Sequence, residues 1–479
     1  MNGTVKSRRD FLRAAGMGLA AVALPRGLWA EAPRSDKRPN VIIIYTDDQG
    51  TFDLDCYGSD DLETPNVDGL AARGVRFTQF YAGSSVCSPS RAALLTGRYP
   101  HRAGVPGNAE SHPSKFGKGE GLKEEQVTIA EVLKRAGRSS ASAKPNSDSA
   151  DYRTGHFGKW HLGFKPGPNG QGFDESVGFM SGCIDKWSHF SYGGAAWGSP
   201  PQWHDWYRNG DEAWESGTHS GDITVREASR FMEANAAAPF FMYVAFGIPH
   251  YPMQPYDKWR EHYKDLPEPR RAYAAFVSTM DEQVGRLLAK VDELGLRENT
   301  LIIFQSDQGH STEARCNYGG GNAGDLRGAK ASLFEAGIRV PAIVSLPGRI
   351  PQGEARGQFC TSCDWLPTIC EICGAEPPEG PVDGTSLVRV IQDAGAPEPH
   401  HVWHWQLGNQ WAVREGDWKL LVNARDTTDG RKVQTLKEPF LANLAADPAE
   451  RTNFASEHPD VVARLTGLHE RWLADVAGE

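Results

Sequence analysis

No apolar run in this 479-residue chain is long enough to span a bilayer, which takes about 20 residues. The run near the N-terminus, Ala14 to Leu24, is short and rich in Gly and Ala. No basic stripe stands out, and the formal net charge is −10. That argues against nucleic acid as the main partner. It leaves an anionic ligand open, because a local basic pocket can sit on an acidic protein. Internal repeats are absent. Cysteine is sparse, at eight residues. Cys360-x-x-Cys363 and Cys370-x-x-Cys373 are only six residues apart, too close for a usual zinc ribbon. Leu366, Ile369 and Ile372 give the same segment helical spacing, so these four read as buried structural thiols. A disulfide within the group stays open in an oxidising compartment.

What is present is ordinary for a globular chain, with 39% hydrophobic and 23% charged residues. The length fits one large domain, 38–394, and a smaller one, 398–479. Ahead of them, Ser7-Arg8-Arg9-Asp10-Phe11-Leu12-Arg13 precedes the short apolar run. Paired arginines in that position mark a twin-arginine signal peptide over 1–32, with cleavage near Ala30 or Ala32. The expected partner is the twin-arginine export machinery, and the expected location is the periplasm or outside the cell.

Asn40 to Tyr45 is a continuous β-branched apolar run and predicts a central strand buried on both faces. It ends in Asp47-Asp48-Gln49-Gly50. Thr300 to Phe304 is a second such strand and ends in Ser306-Asp307-Gln308-Gly309. A third, Phe240 to Phe246, is followed by Pro249-His250. Helical periodicity covers Asn66–Gly74, Thr128–Gly137 and Arg271–Leu294. Alternating strands and helices predict an α/β architecture: a large mixed, mostly parallel sheet sandwiched by helices. Residues 138–151 are small and polar and read as a loop. Past a linker at Asp393–Pro399, Gln410–Arg414 and Trp418–Val422 predict a hairpin, and Pro459–Ala474 a final helix. The C-terminal part is therefore a small α+β subdomain.

Polar residues recur just past apolar strands, where open α/β sheets bind ligands. Asp47, Asp48, Asp307 and Gln308 are hard oxygen ligands and suit Ca²⁺; Mg²⁺ tolerates crowded protein cages less well. Lys159 and His161 lie two apart, so an extended segment would turn both to one face. Lysine suits a fixed anion and histidine suits proton transfer near neutral pH. His250 is a second proton-transfer candidate, and Lys330 a further cation in a Gly-flanked turn.

The most specific stretch is Cys87-Ser88-Pro89-Ser90-Arg91, continuing to Leu94-Leu95-Thr96-Gly97-Arg98. With Pro39–Gly50, Tyr152–Gly163, Phe304–Gly309 and Leu326–Pro341 beside it, the chain resembles the formylglycine-dependent sulfatases of the alkaline phosphatase superfamily. The resemblance implies an alkaline phosphatase-like fold and hydrolysis of sulfate esters. It implies that a formylglycine-generating enzyme oxidises Cys87 to an aldehyde, whose hydrate attacks sulfur and then expels sulfate. It makes Asp47, Asp48, Asp307, Gln308 and modified residue 87 the calcium ligands; many relatives have Asn at the position of Gln308. Arg91 and Lys159 would hold the hydrate, His161 would assist its collapse, and His250 and Lys330 would contact the sulfate and its leaving oxygen. Residues 138–151 look like an insertion relative to the family.

The expected substrate is a sulfated carbohydrate or an aryl sulfate. Tyr192, Trp197, Trp203, Trp206 and Tyr207, with Trp403, His404 and Trp405, could stack on sugar rings, although for any single Trp core packing is favoured. The stretch Gly309–Gly324 leans toward the N-acetylgalactosamine-6-sulfatase-like glycan sulfatases. Two other readings are a phosphodiester or phosphonate monoester hydrolase of the same superfamily, and a non-catalytic homologue that only binds sulfated glycan.

Overall fold

A computed structural model describes residues 38–109, 121–136, 151–192 and 203–477. The signal segment, residues 138–150 of the expected loop and Trp197 lie outside the described residues. Among the described residues no helix is long and apolar enough to cross a membrane.

The main sheet is built from β1 (Asn40–Asp47), β2 (Val75–Phe77), β3 (Arg153–Lys159), β4 (Glu175–Phe179), β5 (Tyr207–Arg208), β6 (Asp211–Glu212), β7 (Phe240–Pro249), β8 (Thr300–Ser306), β9 (Ala342–Ser345) and β10 (Glu354–Arg356). Their order is β10-β2-β9-β8-β1-β7-β3-β4-β5-β6. The centre, β8-β1-β7-β3-β4, is parallel throughout. Antiparallel pairs attach β9 on one side and β5 and β6 on the other.

The continuous apolar strands serve two cores by simple alternation. Val41, Ile43 and Tyr45 of β1 face one core, and Ile42 and Ile44 face the other. On the first face pack α2 (Cys87–Thr96), α3 (Ile129–Ala136) and α6 (Trp365–Cys373), through Leu94, Leu133 and Ile369. On the second pack α1 (Pro65–Ala72), α4 (Ser220–Asn235) and α5 (Arg270–Glu293), through Leu70, Phe231 and Met280. β1 thus sits in the middle of three layers, and its carboxyl end opens where the two cores meet.

The predicted hairpin is the centre of a four-stranded antiparallel sheet: β11 (Val402–Leu407), β12 (Gln410–Glu415), β13 (Trp418–Val422) and β14 (Phe440–Asn443). The final helix, α7, runs Pro459–Ala477. This sheet shares a core with the larger part: Trp403, Trp405 and Phe440 pack with Tyr81, Ala93 and Phe334. Ser35–Glu479 form one compact unit. A buried ion cluster crosses the same junction, with Lys419 Nζ 2.9 Å from Glu335 and 3.0 Å from Glu450.

Two expectations are corrected here. Trp206, Trp403 and Trp405 are at most 2% exposed and fill the core, so they are not a sugar platform. Large aromatics bury more area than any other side chain, and core packing takes them. Lys159 and His161 do not share a strand face either. The strand stops at Lys159, and His161 adopts a left-handed φ of 52°. Cys360, Cys363, Cys370 and Cys373 are buried free thiols.

Candidate active site

The carboxyl ends of β1, β3, β7 and β8 bring together residues far apart in sequence. Asp47 closes β1, and Asp48 follows in a left-handed turn with φ of 61°. Asp307 and Gln308 follow β8, Lys159 closes β3, and His250 follows β7. Cys87 begins α2, and Arg91 lies one turn further in. All are buried: Cys87 is 1% exposed, and Arg91, Lys159, Asp47 and Asp307 are fully enclosed.

Every carboxylate is answered by a cation. Lys159 Nζ donates to Asp47 Oδ2 at 2.7 Å. Lys330 Nζ donates to Asp48 Oδ2 at 2.8 Å. Arg91 donates to Asp307 Oδ2 at 2.8 Å and lies 3.7 Å from Asp47 Oδ1. The backbone N–H of Asp48 donates to Asp307 Oδ1 at 3.1 Å. Cys87 Sγ stands 3.7 Å from Asp47 Oδ1 and 3.4 Å from Gln308 Nε2. The His250 ring donates Nδ1–H to the Tyr251 carbonyl at 2.8 Å, which turns Nε2 toward Asp48 Oδ2 at 3.5 Å. His161 is buried with Nδ1 unpartnered, and its ring lies against Gly182, where a Cβ would come within 3.0 Å of it.

These groups set one another's protonation. Burial alone would raise Asp47, but the charges of Lys159 and Arg91 hold it well below the usual carboxylate range. Burial and the charge of Asp47 push Asp307 up to about 8 against the pull of Arg91. Burial, then Lys330, depress His250, and burial, then Lys159, depress His161, so both are neutral at pH 7. Burial pushes the Cys87 thiol up to about 12, so as a plain cysteine it is not a thiolate.

Three carboxylates in one enclosed space suit a hard cation. Ligand atoms of Asp47, Asp48, Cys87 and His250 all lie within 4.8 Å of one another. Gln308 Nε2 donates to Asp48 Oδ1 while its Oε1 is buried without a partner. A flip of that amide turns the free oxygen toward Asp48 and adds a neutral oxygen ligand. Asp307 accepts from Arg91 and the Asp48 N–H through its two oxygens, and each keeps a further lone pair for a cation.

A match to the sulfatase family covers residues 39–375. The chain belongs to the sulfatase family. N-acetylgalactosamine-6-sulfatase of Canis lupus familiaris is 32% identical, over 96% of this chain and 89% of that protein. Arylsulfatase A of Homo sapiens is 32% identical, over 93% and 89%. A solved structure, Ps i-CgsB in complex with k-i-k-neocarrahexaose, superposes with a TM-score of 0.77 at 28% identity, over 91% of this chain and 93% of that one. As a member of the family, the chain is a sulfuric ester hydrolase, and the expected mostly parallel sheet with its small antiparallel partner is the fold of this sulfatase.

All the site residues expected from the sequence meet in this one place. The sequence reading missed the groups that hold them. Tyr273 of α5 donates its hydroxyl to the Asp48 carbonyl at 3.1 Å and accepts from Gly50 N–H at 3.2 Å. Tyr243 of β7 accepts from Arg91 at 3.3 Å. Ser306 accepts from Gln49 N–H and donates to the Gln308 carbonyl. Only Ser306, adjacent to Asp307, carried a signal in the sequence.

Proposed function

We propose that this sulfatase releases inorganic sulfate from a sulfated carbohydrate, using a formylglycine at position 87 and a calcium ion held by Asp47, Asp48, Asp307 and Gln308. The observation that carries the reading is the Cys87 thiol, buried and protonated, at the start of α2 among three carboxylates and the cations of Arg91, Lys159 and Lys330. An un-ionised thiol there is a poor nucleophile. A hydrated aldehyde at that position supplies a hydroxyl nucleophile and a second hydroxyl whose deprotonation releases sulfate. Calcium, when bound, supplies positive charge for the sulfuryl oxygens.

The chain's own residues do the rest. Arg91 and Lys159 fix Asp307 and Asp47 around position 87. Lys330 holds a cation on Asp48 Oδ2. His250 is locked by the Tyr251 carbonyl so that Nε2 faces the site. An arriving sulfate adds negative charge and raises the proton affinity of that nitrogen. Protonated there, His250 can deliver a proton to the leaving alkoxide. His161, held neutral by burial and the charge of Lys159, is the residue assigned to assist collapse of the sulfated hydrate.

Similarity to N-acetylgalactosamine-6-sulfatase and to a sulfatase solved with a neocarrahexaose supports a carbohydrate substrate. The paired arginines Arg8 and Arg9 support export to the periplasm or beyond, and the Cys-x-Pro-x-Arg run supports maturation by a formylglycine-generating enzyme. The test is sulfate release from defined sulfated saccharides, using protein co-produced with that enzyme. Cys87→Ala is expected to abolish release with unfolding unchanged. Release that survives the substitution removes residue 87 as nucleophile. Turnover of an aryl phosphodiester but of no sulfate ester, with formylglycine confirmed, overturns the reading.

A further inference from the structure

The Tyr251 carbonyl locks His250, and the side chain of the same residue meets a second group of the site. Tyr251 is 2% exposed and packs with Cys183 and Cys316. Its ring lies 4.0 Å from the His250 ring, tilted by 40°. The Lys330 ammonium stands over it, 5.7 Å from the centroid. The Arg315 guanidinium lies over it as well, at 4.4 Å. Both fall within the range of about 6 Å in which an aromatic face attracts a cation.

Two cations on one ring need an anion near them, and Glu313 supplies it. Its Oε1 accepts from Arg315 at 2.6 Å. Its Oε2 accepts from the Tyr251 hydroxyl at 3.3 Å and from Ser311 at 3.2 Å. Burial would raise this carboxyl, but the charges of Lys330 and Arg315 hold it below its ordinary value, so it is ionised at pH 7. A phenol that donates to a carboxylate is polarised, which makes its ring face more negative. Glu313, Arg315 and Tyr251 thus form one braced unit.

Lys330 has two unlike neighbours. Asp48 Oδ2 accepts from its Nζ at 2.8 Å, and the Tyr251 ring attracts its charge from the face. A second carboxylate in the place of the ring would neutralise the ammonium. An aromatic face fixes it and leaves its charge for an arriving sulfate.

We infer that the Tyr251 side chain is a positioning residue of the sulfatase reaction, its ring setting where the Lys330 ammonium meets the sulfate. The inference rests on the role proposed for Lys330 above. Its test compares kcat/KM for sulfate release, on the best substrate of the saccharide panel, among matured proteins carrying Tyr251→Phe, Tyr251→Met and Lys330→Ala. The Tyr251 changes are made alone and with Lys330→Ala, and thermal unfolding is recorded for each protein. Phe keeps the ring face and should retain most of the activity. Met fills the space without a π face and is expected to lose about tenfold. In the Lys330→Ala background the same change to Met should cost less than about twofold, because the group it positions is gone. Equal activity of the Phe and Met variants overturns the inference, as does a loss of the same size without Lys330. Should the Met variant unfold, Glu313→Gln decides instead, since it removes the bracing charge at constant size. Removing an anion near Lys330 would by itself favour sulfate, so a loss reports the ring. A loss of about threefold that vanishes with Lys330→Ala supports the inference, and no loss, or one that persists, refutes it. Lys330→Ala as active as the parent refutes the role proposed for Lys330, before any Tyr251 variant is compared, and the inference falls with it.

Discussion

At the residue scale the site is a set of opposed charges whose roles separate on substitution. His250→Ala removes the proton donor proposed for the leaving oxygen. A sugar alkoxide needs that proton and nitrophenolate does not, so the loss on sulfated sugars is expected to exceed that on nitrophenyl sulfate by about 10²-fold or more. Equal losses in kcat/KM on both substrates would take His250 out of that role. Gln308 is tested through the cation. Gln308→Leu removes the amide oxygen left free in the site. Calcium affinity, read from the rise in Tm with added calcium, is expected to weaken about tenfold or more. Unchanged affinity would show that the amide only braces Asp48. These residues were legible in the sequence because each sits within four positions past an apolar run or inside a dense motif. Tyr273 and Tyr243 were not, since each is one of many inward-facing aromatics, and only tertiary packing decides which hydroxyl meets Asp48 or Arg91.

At the element scale, one helix caps another. Asp281 of α5 accepts the N–H groups of Asn66 and Val67 at the start of α1. Burial raises this carboxyl from its ordinary 3.8 to about 6 despite those bonds. The folded protein then holds the proton more tightly than the unfolded chain. The group's contribution is fully present below pH 3.8 and is lost as pH rises through 6, a change of about 3 kcal/mol. Asp281→Asn should flatten stability across that window in denaturant titrations at stepped pH. An unchanged slope would place the titration elsewhere. The strands themselves were readable from their apolar runs, and the two-core alternation follows from strand geometry. His161 was misplaced because a left-handed residue two positions past a strand leaves no mark in hydropathy.

At the scale of the whole molecule, the antiparallel sheet is bound to the larger part by charge as well as by aromatic packing. Lys419 reaches Glu335 and Glu450 in a fully buried cluster, and Glu335 also accepts from Tyr81 at 2.6 Å. Lys419→Met removes the cation the two carboxylates share, leaving Glu335 with Arg339 at 3.7 Å and Glu450 without its lysine. The expected cost is about 3–5 kcal/mol in unfolding free energy, with both parts melting together. Separate melting of the two parts, or a change under 1 kcal/mol, would show that the cluster does not couple them. The sequence marked this region by its linker and hairpin. It gave no sign that Trp405 would pack against Tyr81 and Trp403 against Tyr99, because those contacts join segments from opposite ends of the chain.

That shared packing bears on the order of events during synthesis. Ala93, on the helix that Cys87 begins, lies beneath strands made from the last part of the chain. While those strands are still unmade, the helix lacks the cover that packs on Ala93. If Cys87 is matured as proposed, the enzyme acts before this helix has its late-made packing, and slower synthesis of the last strands would lengthen the time in which the helix is loosely held.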